Sequence, residues 1–216
     1  MIDLHTHTFF SDGQLGPAEL VRRASVAGYR AMAITDHADQ SNIVWMLSKL
    51  VGVVDEIGAA NDMQVLAGVE LTHVPPSMIA GAAQLARDNG AELIVVHGET
   101  IVEPVMEGTN RAAIEAGVDI LSHPGMISAE DVQLAAQNGV CLEITTRGGH
   151  SLTNGHVAKL AIKYAAKLVI DNDAHAPGDL VSAEMSHLVA LGAGLTEEQI
   201  KQARQNSAEL VTRAKG

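Results

Sequence analysis

The chain has 216 residues, 47% of them hydrophobic and only 2% aromatic, so aliphatic side chains must fill a sizeable core of one domain or one α/β barrel-like unit. The formal net charge is −12, which argues against a broad electrostatic footprint for long nucleic acid. The lone Cys141 excludes a disulfide framework, and no run approaches the roughly 18 apolar residues that a membrane span needs. "MIDLHTH" lacks a basic region followed by an apolar one, so no signal peptide is expected and cytoplasm is the default compartment.

Short apolar runs alternate with amphipathic ones. "IDLH" (2–5) is the first expected strand, and Gly16-Pro17 opens a helix that Gly28 ends. "RAMAIT" (30–35) follows, then one long apolar-periodic stretch over 42–60. "QVLAGVE" (64–70) leads to a helix over 76–89, and "ELIVVH" (92–97) to one over 109–116. "VDILSH" (118–123) precedes a helix over 129–138 with Ser128 as its N-cap. Gly90, Gly117 and Gly139 each follow a helix and precede a strand, where the left-handed cap turns the chain back. "VCLEIT" (140–145) and "KLVIDND" (167–173) complete seven strands, with helices over 153–166 and 180–191. Thr196 and Gln199 form a capping box for a last helix near 197–214.

Strict β/α alternation favours a parallel sheet, either a closed barrel or a doubly wound sheet. No G-x-G-x-x-G follows the first strand and no P-loop pattern occurs, so the usual nucleotide-binding signals are missing. The βα loops are short, with no separate lid segment.

The polar residues fall where the strands end. The first strand runs through His5 to His7, with Asp12 in a Ser-Asp-Gly turn beyond. The second runs into Asp36 and His37, the third ends in Glu70, the fourth in His97 and the fifth in His123. The sixth leads to Arg147 and His150, and the seventh to Asp173 and His175. In parallel α/β folds the strand C-termini share one face, so these side chains converge. Residues two apart on an extended segment point the same way, so His5/His7 and Asp173/His175 each present a pair. Neutral imidazole and carboxylate suit zinc, manganese or iron. The nine candidates are His5, His7, His37, His97, His123, His175, Asp12, Glu70 and Asp173. One ion needs only about three or four protein ligands, so the set suggests two or three divalent ions sharing a carboxylate.

"DLHTHTFFSDG", "ITDH", "GVE", "VVHGE", "LSHPG" and "DNDAH", in that order along the chain, resemble the PHP (polymerase and histidinol phosphatase) family. The resemblance implies a distorted seven-stranded (β/α)7 barrel, TIM-like, over residues 1–216 as a single domain. It also implies a trinuclear metal centre at the strand C-termini and hydrolysis of phosphoesters. Carried over by position, His5, His7, Glu70 and Asp173 hold a first ion, and Asp12, His37 and His175 a second. Glu70, His97 and His123 hold a third, with Glu70 bridging. The position of Asp12 is often His in phosphatase members; Asp makes this site harder and tilts it from zinc towards manganese or iron.

Beyond the donor set, Arg147 in "TTRGGHSLTNG" is the expected phosphate anchor, because guanidinium matches phosphate oxygens bidentately. His150 is expected to donate to the phosphate or to protonate the leaving oxygen. His73 is a candidate pocket residue, and Glu99, Asp36 and Asp3 are candidates to orient ligand histidines. The expected activity is a metal-dependent phosphoesterase on a small phosphorylated, histidinol-phosphate-like metabolite, using a metal-generated hydroxide. The alternatives are a phosphodiesterase or nuclease on short substrates, an amidohydrolase-type C–N hydrolase, and a non-catalytic metal-binding scaffold.

Overall fold

The computed structural model describes residues 1–216. Its strands are β1 (Ile2–Asp3), β2 (Ala31–Ile34), β3 (His37–Ala38), β4 (Gln64–Leu71), β5 (Leu93–His97), β6 (Ile120–Ser122), β7 (Cys141–Thr145) and β8 (Leu168–Asp171). All pair in parallel, in the order β1-β2-β4-β5-β6-β7-β8. The short β3 continues the line of β2: both pair with β4, Ile34 opposite Ala67 and His37 opposite Glu70. The result is the expected seven-position β/α barrel, nearly closed.

Closure between β8 and β1 uses little regular ladder. A single parallel bridge joins Thr6 and Ala174, and the His7 N–H donates to the Ala174 carbonyl at 2.9 Å. Carboxylates replace the rest of the ladder. The Leu4 N–H donates to Asp171 Oδ1 at 2.7 Å, and the Asn172 N–H to Asp3 Oδ1 at 3.1 Å. A buried backbone N–H needs an acceptor, and here aspartate supplies it.

The helices are α1 (Pro17–Val26), α2 (Ile43–Leu50), α3 (Val53–Ala60), α4 (Pro76–Asp88), α5 (Thr109–Glu115), α6 (Ala129–Asn138), α7 (Asn154–Tyr164), α8 (Ala183–Gly192) and α9 (Glu197–Lys215). Ser128 caps α6 by accepting from the Asp131 N–H, and Thr196 and Gln199 form the capping box of α9. The stretch over 42–60 is two helices rather than one. Val51 leaves the helix with ψ 128°, and Gly52 turns the chain at φ +85°, a conformation costly for residues with a side chain.

Two apolar layers hold the barrel. Outside it, Val69, Ile94, Val96, Leu121, Leu142 and Ile144 pack against the helices. Inside it, Leu4, Leu66, Leu93, Val95, Ile120 and Val169 meet Leu210 and Val211 of α9. This alternation along each strand is the period of two that a barrel wall requires. The last helix therefore closes the end where the strands begin. It is held there by Asn206, whose Nδ2 donates to the Leu168 carbonyl at 2.8 Å, and by Arg213 on Asp119. The opposite end, where the strands finish, carries the site.

Candidate metal centre

The chain beyond β1 places His5 and His7 inside the barrel mouth, both fully buried. His5 Nδ1 donates to Glu143 Oε1 at 2.7 Å, which leaves Nε2 facing inward, 3.1 Å from Glu70 Oε1 and 3.8 Å from Asp173 Oδ1. His7 Nε2 lies 3.2 Å from Asp173 Oδ1. Asp36 shapes the loop that follows, accepting from the Thr8 N–H, the Thr8 hydroxyl and the Ser11 hydroxyl, each at 2.7 Å.

That loop presents Asp12. Its Oδ1 lies 3.3 Å from His37 Nε2 and 3.2 Å from His175 Nε2. His175 donates Nδ1–H to the Asp173 carbonyl at 3.0 Å, so its Nε2 also faces Asp12 with a lone pair when the ring is neutral. Glu70 stands between the two groups. Its Oε2 is 2.6 Å from His37 Nδ1, and its Oε1 is 3.7 Å from His123 Nε2.

A third group gathers His97, His123 and His150, whose ring nitrogens lie within 4.8 Å of one another. His97 donates Nδ1–H to the Gly98 carbonyl at 3.2 Å, which again turns Nε2 inward. The His123 and His150 rings stack with centroids 4.1 Å apart. His123 and Asp173 take φ values of +25° and +52°, a strained choice for residues with a Cβ. Asp173 therefore does not share a flat strand with His175, yet the turn brings Oδ1 of Asp173 to 3.3 Å from His175 Nδ1.

These residues fit divalent ions. Five imidazole nitrogens, on His5 (Nε2), His7 (both) and His123 (both), are buried without a hydrogen-bond partner. A polar atom buried unpartnered costs about 1–3 kcal/mol, so the cluster favours a ligand of its own. Imidazole with carboxylate is the donor chemistry of zinc, manganese and iron.

The charges are strongly coupled. Burial opposes protonation of His5 and His37, but the carboxylates of Glu143, Glu70 and Asp173 outweigh it at His5 and hold its pKa well up. Glu70 and Asp12 do the same at His37, raised to about 10. Burial wins at His7, pushed down to about 4, and at His123, which also faces His97. Hydrogen bonds from His175 and His37 hold Asp12 far below the usual carboxylate range. Protonated imidazoles thus offset buried carboxylates in this acidic mouth, a charge balance that a divalent ion can take over.

A cavity of about 240 Å³ opens on the donors, and no hydrophobic residue lines it. Arg147 enters from the loop after β7. Its Nε is 3.9 Å from Asp173 Oδ2, and its Nη1 donates to Asp179 Oδ2 at 3.0 Å. His150 lines the cavity with Nδ1 on the Thr100 hydroxyl at 2.8 Å. His73 also lines it, with φ +54° and Nε2 3.4 Å from Glu103. All twelve site residues expected from the sequence thus meet at one mouth.

Other expectations fare differently. Glu99 touches no histidine; its Oε1 accepts from the N–H groups of Gly108 and Asn110 at 3.0 and 2.9 Å. Asp3 works on the seam rather than on a ring nitrogen. The loops are not all short. Residues 98–108 form a long segment that crosses the chain after β6, where a Cβ on Gly125 would collide with the Glu99 carbonyl. This segment delivers Glu103, which the sequence reading missed because it ends no strand. Glu143 was missed for a different reason. It lies within β7, and only barrel closure shows that it points to His5 and accepts from the His123 N–H at 3.0 Å.

A family model described as PHP domain matches residues 3–164. The chain belongs to the PHP family. With this family and this donor set, it is a metal-dependent hydrolase. The PHP chain is 51% identical over 201 residues to an uncharacterized protein of Methanocaldococcus jannaschii, covering 92% of each. It is 26% identical over 194 residues to the DNA polymerase/3'-5' exonuclease PolX of Bacillus subtilis, covering 80% of this chain and only 34% of that protein. Among solved structures it is similar to the histidinol phosphate phosphatase of Lactococcus lactis, crystallised with zinc, L-histidinol and phosphate. That likeness has a TM-score of 0.64 and 14% identity, covers 90% of this chain and 94% of that one, and is one of fold.

Proposed function

We propose that this PHP protein is a phosphoesterase that hydrolyses a small phosphorylated metabolite at a trinuclear metal centre. The observation that carries the reading is the Arg147 guanidinium beside Asp173, on the wall of a cavity lined otherwise by histidine, aspartate and glutamate with Thr72. A guanidinium held in place matches phosphate oxygens bidentately. The cavity's volume, about 240 Å³, fits a small metabolite rather than a polymer. The net charge of −12 likewise disfavours long nucleic acid.

In this reading His5, His7, Glu70 and Asp173 hold one ion, Asp12, His37 and His175 a second, and Glu70, His97 and His123 a third. Divalent ions there supply Lewis acidity, activating water and neutralising phosphoryl charge. The Asp12 donor favours manganese or iron. Glu143 fixes the ring of His5 through Nδ1, so that Nε2 keeps its lone pair inward. Arg147, steadied by Asp179, binds a non-bridging phosphate oxygen. His150 accepts from the Thr100 hydroxyl at Nδ1 and carries its proton at Nε2, from where it donates to the phosphate or leaving oxygen. Burial lowers the pKa of His150, which keeps it neutral near pH 7 and ready in that role. His73 lines the entrance. No helix is long and apolar enough to cross a membrane, and we place this single-domain protein in the cytoplasm.

Phosphate release from a panel of phosphomonoesters, after reconstitution with Mn²⁺ and beside a chelator-treated control, tests the proposal. Chelator-sensitive turnover that vanishes in Asp173→Asn is the expected result. No release from any member by a protein that retains its metals would overturn it, and would turn attention to phosphodiesters and C–N substrates.

A further inference from the structure

The loop over residues 98–108 is pinned at its base and free at its tip. Glu99 accepts from Gly108 and Asn110, Asn110 Oδ1 accepts from the Glu99 N–H at 3.0 Å, and Asn110 Nδ2 donates to the Pro124 carbonyl at 2.9 Å. Between these anchors Ile101, Val102 and Met106 are exposed. From this tip Glu103 alone reaches back into the cavity.

Its carboxylate has an unusual neighbourhood. Oε2 lies 3.2 Å from His97 Nε2 and 3.4 Å from His73 Nε2, and Oε1 lies 3.4 Å from His150 Nε2. No backbone N–H or hydroxyl donates to it. His97 spends its Nδ1 proton on the Gly98 carbonyl, so in the neutral ring its Nε2 meets Glu103 lone pair to lone pair. Two lone pairs at that distance repel unless a proton or a metal ion lies between them. Metal–ligand bonds of about 2.1 Å at tetrahedral or octahedral angles put neighbouring donors roughly 3.0–3.4 Å apart. The observed 3.2 Å lies within that range.

We propose that Glu103 is a displaceable metal ligand. Its carboxylate completes the sphere of the ion held by His97 and yields that place to a phosphoryl oxygen of the substrate. The inference rests on the metal reading given under the proposed function. The exchange replaces one anionic oxygen ligand by another, and no covalent bond forms or breaks in the protein. It also frees His150 Nε2, which lies 3.4 Å from Glu103 Oε1, to face the phosphate. The tip of the loop is then released from the cavity only when substrate takes the place of Glu103.

The test uses the full chain, stripped of metal and titrated with Co²⁺, comparing wild type with Glu103→Gln. Competition with a chromogenic chelator reads affinity, and visible absorption reads coordination number. Glu103 lies on a partly exposed loop, so metal-free melting of the two proteins should coincide and exclude a folding defect. The expected result is a tenfold or greater loss of affinity for one ion of the set, a changed Co²⁺ band for that ion, and little change for the others. Inorganic phosphate should then bind the loaded Glu103→Gln protein at least threefold more tightly, because it no longer competes with a carboxylate. In wild type, hydrogen exchange of residues 98–108 should slow on metal loading and quicken again with phosphate. Identical isotherms and spectra in the two proteins would overturn the proposal while leaving the phosphoesterase reading intact. Unchanged phosphate affinity would overturn displacement. Failure of wild type to bind a third ion would remove the site's metal reading and this inference together.

Discussion

Asn172 grips Asp3 with two hydrogen bonds, one from its backbone N–H to Oδ1 at 3.1 Å and one from Nδ2 to Oδ2 at 2.7 Å. This pair joins the last strand to the first and so sets how near Asp173 and His175 come to His5 and His7. Asp3 Oδ1 also accepts from the His5 N–H at 3.3 Å. The seam and the metal donors are therefore one unit.

Asp3→Ala leaves two buried backbone donors, the Asn172 and His5 N–H groups, without an acceptor, while Asn172 Nδ2 keeps the Tyr29 hydroxyl. At about 1 kcal/mol or more per orphaned group, the loss should be about 2 kcal/mol. Denaturant unfolding of the metal-free protein measures it, and metal affinity should fall in parallel because the two halves of the first donor group separate.

The seam also makes stability depend on pH. Burial, and then Asp171, push the carboxyl of Asp3 up to about 8; burial, and then Glu143, push Asp171 up to about 7. Both groups ionise near pH 3.8 in the unfolded chain, so between that pH and about 8 the folded state holds more protons. Their contribution is fully present below about pH 4 and is lost as pH rises through 7 to 8. The metal-free protein should unfold at a lower denaturant concentration at pH 8 than at pH 5. Asp171→Asn should flatten that difference; an unchanged slope would refute the assignment.

Glu143 binds no substrate, yet it fixes both His5 Nδ1 and the His123 N–H. Glu143→Gln keeps the shape and turns an acceptor into a donor on one side. Metal affinity should fall about 10- to 100-fold, as for other groups that orient ligand histidines. Chelator competition reads this directly, independently of any substrate.

Arg147→Ala should lower kcat/KM for the best phosphomonoester about 10- to 100-fold, the worth of a charge-assisted hydrogen bond. The metal isotherm should stay as in wild type, because Arg147 contributes no lone pair. A loss of metal in this variant would show that Arg147 is needed for the charge balance of the site instead.

Metal loading should raise the melting temperature and chelation should lower it. An ion at 100 times its Kd adds about 2.7 kcal/mol to stability. A melting curve indifferent to chelator would mean that the buried imidazoles of His7 and His123 have no ion to satisfy them.

The sequence by itself determined the β/α alternation and the chemistry at the strand ends. Parallel strands are buried on both faces, so each reads as a short apolar run, and five of the seven runs here finish in histidine or carboxylate. That is a local signal, carried by residues such as His97 and Glu70 at the last positions of their strands. The caps at Ser128 and Thr196 were legible for the same reason: an N-cap bonds within three residues of itself. The break at Gly52 was not, because apolar periodicity runs through it and only packing against the barrel decides where the helix stops. Tertiary structure alone decided the rest. Glu143 reaches a histidine 138 residues away, Asn172 an aspartate 169 residues away, and Glu103 three imidazoles from three different β/α units. No periodicity encodes such contacts. They exist because a closed sheet brings its first and last strands together and points every β-to-α loop at one mouth.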